Sequence, residues 1–168
     1  MTADAIPTEP SVLNTTVLSN FAAINRVDLV ADLVGICAVP EVENELEAGV
    51  QTHAYLQPAL DALNDTITVA PISETVSNRE AVVRGHLDPG EAQAFALADT
   101  HDGRLLTDDG DARMFAKNQG VTVIGSVGVL LTALDAGRID KSTANDYLQT
   151  WIDDYSYYVP YRSIDDYR

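Results

Sequence analysis

Residues 104–131 read RLLTDDGDARMFAKNQGVTVIGSVGVLL, and the periodicity changes three times within them. Arg104-Leu105-Leu106 is a short apolar run halted by Thr107-Asp108-Asp109, and residues 110–119 then carry a helical pattern that Asp108 or Asp109 can cap. Residues 121–124 are apolar and β-branched, and residues 127–136 return to a helical pattern, with Ser126 expected as N-cap and Gly137 just past the end. Short strands alternating with longer helices predict repeated strand-helix units on a parallel sheet. Working outward, the same alternation places strands at 11–13, 36–39 and 67–72 and helices at 40–46 and 89–100. The fold class expected is α/β. Residues 64–78 show no clear pattern, and residues 143–155 are helical and lead into YSYYVPYRSIDDYR, which holds five of the seven tyrosines.

A chain of 168 residues with 46% apolar content can bury one substantial core. The organisation expected is a flexible start over 1–10, a domain over 11–141, and a helix with a Tyr-rich tail over 142–168 packed on that domain. No apolar run reaches the ~18 residues of a membrane span, and MTADAIPTEP lacks the basic and apolar regions of a signal peptide, so a cytoplasmic protein without a membrane partner is expected. The lone Cys37 excludes an internal disulfide, and His53, His86 and His101 stand at no zinc-ligand spacing.

Charge is the unusual property: 26 acidic residues against 10 basic give a formal net charge of -16. Such a surface repels itself in dilute buffer and suits a cytoplasm of molar salt, where the screening length falls to ~3 Å. A halophilic source is expected, with a basic partner as the rival explanation. No basic face for nucleic acid is visible, so any role on RNA must come from a local site.

In an open parallel sheet, ligands bind beyond the carboxyl ends of the strands. Asn14 follows the first strand, Glu41 and Glu45 the second, and Thr107, Asp108 and Asp109 the fourth, while Glu91 opens the helix before that fourth strand. Each also has a purely structural use: Asp88-Pro89-Gly90-Glu91 is a capping pattern, and Asn14 suits a turn or a cap. Several carboxylates near one point repel one another unless a cation neutralises them, and hard oxygen donors suit Mg²⁺ or Mn²⁺. The fragment DDGDAR lacks the ligand series and closing Glu of a calcium loop.

LNTTVLSNFAAINRVDLV (13–30), VPEVENELEAG (39–49), LDPGEAQAFALA (87–98) and the opening stretch, in that order, resemble the PIN domain, especially prokaryotic proteins similar to VapC toxins. The resemblance spans roughly residues 12–139. It implies an α/β/α sandwich with a parallel central sheet, whose acidic pocket holds Mg²⁺ or Mn²⁺ and activates water to hydrolyse RNA. Carried over by motif, the metal and catalytic positions are Glu45, Glu91 and Asp109, with Asp108 beside the last. Thr15 and Thr107 match pocket hydroxyls. The first position holds Asn14 where the family usually has Asp, which leaves a carbonyl oxygen but no charge. Arg113, one turn beyond Asp109, is a candidate for the substrate phosphate, or for a surface ion pair.

Three functions follow. The first is a Mg- or Mn-dependent ribonuclease of toxin or RNA-processing type, impaired by Asn14. The second is a non-catalytic PIN-like module that binds RNA or a protein, such as an antitoxin-like partner placing a basic side chain in the acidic pocket. A homodimer is a further expectation from the resemblance. The third, a phosphoryl-transfer domain, is disfavoured because Asn14 cannot be its Asp nucleophile and Lys117 falls within a helix.

Overall fold

Ser11-Val12-Leu13 is buried at every residue, as expected of a strand covered on both faces. This strand, β1 (Ser11–Leu13), lies at the centre of the sheet. In the computed structural model, which describes residues 6–157 and 159–167, it pairs in parallel with β2 (Ile36–Ala38) on one side and β4 (Arg104–Leu106) on the other. Outside them lie β3 (Thr68–Val69) and β5 (Thr122–Ile124), giving the order β3-β2-β1-β4-β5 with all strands parallel. The first three strands progress one way and the last two the other, so the direction reverses between β1 and β4.

The connections are helical: α1 (Thr15–Ala23) and α2 (Asp28–Ala31) before β2, α3 (Pro40–Gly49) and α4 (Gln57–Asp65) before β3, and α5 (Glu74–Val83) and α6 (Pro89–Thr100) before β4. Then come α7 (Gly110–Asn118) before β5, and α8 (Ser126–Asp135) and α9 (Lys141–Tyr155) after it. Right-handed crossovers put helices on both faces of such a sheet, an α/β/α sandwich. Residues 90–98 of α6 are all buried, and this helix packs against α5, α3, β1 and β4. Its alternate alanines, Ala92, Ala94, Ala96 and Ala98, let the backbones approach closely. Trp151 on α9 meets Phe21 on α1 edge-on, with ring centroids 5.2 Å apart, and Leu148 and Ile164 join the same buried core.

Three sequence expectations are corrected. The third strand is Thr68–Val69 rather than 67–72: after one more ladder bond, from Ala70 N to Ala38 O, Pro71 has no N–H to continue. The patternless stretch 64–78 contains the end of α4 and the start of α5, capped by Ser73, whose hydroxyl accepts from Val76 N. Gly125, not Ser126, caps α8. Residues 1–5 of the expected flexible start, and Tyr158 and Arg168 of the tail, lie outside the described residues.

Candidate active site at the strand ends

The β1–β4 register, Leu13 opposite Leu106, determines what stands just past the sheet. The ladder runs one residue further through Asn14 N to Leu106 O (2.8 Å) and Thr107 N to Ile124 O (3.0 Å), so Asn14 and Thr107 emerge side by side at the reversal point. Both are buried. Asn14 Nδ2 donates to Thr107 Oγ1 (2.9 Å), and Asn14 Oδ1 accepts from Thr15 N (2.8 Å) as the cap of α1. The amide therefore has a structural use as well as its place at the site.

Asp88, Pro89 and Glu91 form a complete capping box at the start of α6: Glu91 N donates to Asp88 Oδ1 (2.8 Å) and Asp88 N to Glu91 Oε1 (3.2 Å). Capping does not exhaust Glu91. Its carboxyl also feels the charge of Asp109, which itself caps α7 by accepting from Ala112 N (2.9 Å). Burial pushes the Glu91 carboxyl up to about 7; the Asp88 N–H pulls it back, and the charges of Asp88 and Asp109 push it further up.

Glu45 comes from α3. Its Oε1 accepts from the Thr15 hydroxyl, and its Oε2 accepts from Gly90 N (3.2 Å). A Cβ at position 90 would run into this carboxylate, which explains the glycine beside Glu91. Burial raises the Glu45 carboxyl, the Thr15 hydroxyl lowers it, and the charge of Asp88 raises it again. Asp88 thus links Glu45 and Glu91 electrostatically. The sequence pattern disclosed Asp88 only as a cap.

The remaining candidates are placed differently. Asp108 has both carboxylate oxygens engaged: Oδ1 accepts from Ser126 N (2.7 Å) and Tyr157 OH (2.8 Å), and Oδ2 from Asn20 Nδ2 (2.9 Å) and the Ser126 hydroxyl. It ties β4 to α1, α8 and the C-terminal tail. Arg113 Nη1 donates to Thr107 O (3.0 Å). Glu41 turns to Arg84 (3.2 Å). A cleft of about 560 Å³ opens here, lined by Thr15, Thr16, Ser19, Asn20, Asp109 and Tyr157 among others.

Asn20 was readable in principle, since it lies four residues after Thr16 on one helix face. Tyr157, 49 residues from Asp108, had no local signal. Thr16 joins the site through its hydroxyl, which accepts from Asp108 N (2.9 Å).

Among the described residues no three Asp, Glu, His or Cys side chains converge in an arrangement ready for a metal ion. Glu91 is engaged with Asp88, and Asp109 with Ala112 N, while Glu45 is held by Thr15 and Gly90. The donor chemistry nevertheless fits a hard divalent cation: the charges of Asp88 and Asp109 both act on the Glu91 carboxyl, and a cation would relieve that repulsion.

No curated protein sequence matches the chain significantly. Among solved structures, the crystal structure of FitAcB from Neisseria gonorrhoeae is similar at a TM-score of 0.47 and 18% identity, over 67% of this chain and 95% of that one. A family model described as DUF3368, PIN domain, matches residues 10–166, nearly the entire chain, and the protein therefore belongs to the PIN-domain family.

Proposed function

We propose that the chain is a Mg- or Mn-dependent ribonuclease of the VapC-like toxin or RNA-processing kind, working in a salt-rich cytoplasm. The observation that carries this reading is the gathering of acids beside the β1–β4 reversal: Glu45 accepts from Gly90 N, next to Glu91, and the charge of Asp109 acts on the Glu91 carboxyl. Glu91, Asp109 and Glu45 would hold the cation, with Asn14 Oδ1 as a neutral donor. When bound, the cation would acidify a water and neutralise charge on the phosphodiester. Thr15 and Thr107 hold Glu45 and Asn14 in place, and Asp108 acts as a positioning residue through its bonds to Asn20, Ser126 and Tyr157.

Cleavage of labelled RNA in molar KCl, with Mn²⁺ and with chelator, is the test. Metal-dependent cleavage abolished by Glu91→Gln is expected; metal-independent or absent cleavage overturns the reading.

One observation favours a second reading. Asn14 carries no charge and both ends of its amide are engaged, which suits a non-catalytic module that binds RNA or an antitoxin-like protein. A basic side chain entering the acidic cleft would then take the cation's place. Absence of Mn²⁺ binding together with partner binding would select this module.

A further inference from the structure

A second cavity, of about 540 Å³, adjoins the strand-end cleft and shares Asp108 and Tyr157 with it. It lies between β5, α8 and the C-terminal tail, and Val123, Leu131, Tyr157, Tyr167, Gly128 and Arg113 contribute to its wall. Its volume is in the roughly 300–1,000 Å³ range of small-molecule sites, and its character is apolar with few polar groups. Arg113 is the unusual member. Arg26, Arg79, Arg84, Arg138 and Arg162 are each paired with a carboxylate, and Arg104 donates twice to the Ser11 hydroxyl, in a protein where acids outnumber bases 26 to 10. Arg113, among the described residues, has no carboxylate ion pair; one N–H is used on Thr107 O, and the guanidinium has others to offer. Gly125 leaves room for it, since a Cβ there would come within 2.7 Å of Arg113 Nη1.

We propose that this cavity binds one unpaired ribonucleotide of the RNA, with its base on the tyrosine-lined wall and its phosphate on Arg113. Stacking on aromatic rings tolerates any base, and a guanidinium suits a phosphate. Continuity with the cleft through Tyr157 and Asp108 places the bound nucleotide next to the cleft that Asp109 lines, and only an unpaired base can enter the cavity. The inference rests on the ribonuclease reading for the identity of its ligand, but its test does not require cleavage.

The four ribonucleoside 5′-monophosphates, and the matching nucleosides, are titrated singly into the full chain in molar KCl by calorimetry. At least one nucleotide is expected to bind, with Leu131→Trp, which fills the cavity, weakening it about tenfold or more. Arg113→Gln is expected to remove the preference for nucleotide over nucleoside while leaving nucleoside affinity within about twofold. Circular dichroism establishes that each variant is folded, and if Leu131→Trp does not fold, the Arg113→Gln comparison decides. Binding by none of the four nucleotides, or a folded Leu131→Trp that binds as the parent does, overturns the proposal. Nucleotide binding that Leu131→Trp removes, in a chain that cleaves no RNA, supports the cavity assignment and separately removes the ribonuclease reading.

Discussion

At the scale of single residues, Asn14 and Glu91 decide whether the pocket is a metal site. Asn14→Asp is nearly isosteric, and Thr107 can turn its hydroxyl to donate to the new carboxylate, so the strand-to-helix corner should survive. At an effective dielectric of 20, a unit charge ~4 Å from another contributes roughly 4 kcal/mol per pair, so Mn²⁺ affinity measured by calorimetry should rise at least tenfold and RNA cleavage with it. The metal-free variant should melt lower than its parent, because a buried charge has been added near other acids. Equal Mn²⁺ affinity in the two chains would mark Asn14 as a corner residue only. Glu91 gives the pH test. Its folded pKa, about 7, is raised above the 4.5 of an ordinary glutamate, so the folded chain binds the proton more tightly. Its contribution to stability is complete below pH 4.5 and is lost as pH rises through 7. Glu91→Gln should therefore flatten the metal-free stability profile between those values and raise the melting point at pH 8; an unchanged profile would show that Glu91 holds no extra proton in that range. Of the candidate site, Asn14, Glu91 and Asp109 stand at a strand end or a helix start, where a sequence can point to them, while Glu45 lies inside α3. The engagement of Asp108 by Asn20, Ser126 and Tyr157 was not legible, because it depends on contacts 18 to 88 residues apart.

At the scale of elements, α6 shows how one cap serves both the fold and the site. Asp88 secures the helix, yet its charge also raises the carboxyls of Glu45 and Glu91. Two substitutions separate these effects. Asp88→Asn keeps a side-chain acceptor for Glu91 N and removes the charge, so metal-free stability should hold or improve and the Glu91 titration should move down. Asp88→Ala loses the cap as well, at a cost of about 1 kcal/mol, or a fall of roughly 2–4 °C in a chain of this size. Thermal melts of both variants check this, and equal stabilities would show that the cap contributes nothing. The sequence disclosed α6, α7 and β4 readily because their ends carry caps and their patterns are uninterrupted. It concealed α5 for a physical reason: Glu80 is buried there, satisfied by Gln93 Nε2 (3.1 Å) and Arg84 Nη2 (2.8 Å), so a polar residue occupies a core-facing position and breaks the apolar period. Cys37, by contrast, is an apolar part of the core, and burial pushes its thiol up to about 12.

At the scale of the whole molecule, the excess of acid governs behaviour that no single contact explains. The arginines and lysines are largely consumed in exposed ion pairs, such as Arg138 with Asp28 and Lys141 with Asp165, each worth little by itself. Among the described residues, the carboxylates without an ion pair include Asp146 and Asp154 along α9, on a face that also carries Gln149 and Thr150. Raising ionic strength from 0.1 to 1 M shortens the screening length from about 10 to about 3 Å, which removes repulsion between surface acids while leaving the buried core intact. Melting temperature should therefore climb steeply with KCl and level off near molar concentration. NaCl and choline chloride at equal ionic strength should act alike if screening is the cause, since screening does not depend on the identity of the cation. A rise with KCl alone would point to bound ions instead. A flat midpoint in all three salts would remove the halophilic reading, and the acidity would then belong to a surface shaped for a basic partner, for which the cleft between α1, Asp109 and Tyr157 is the place to look first.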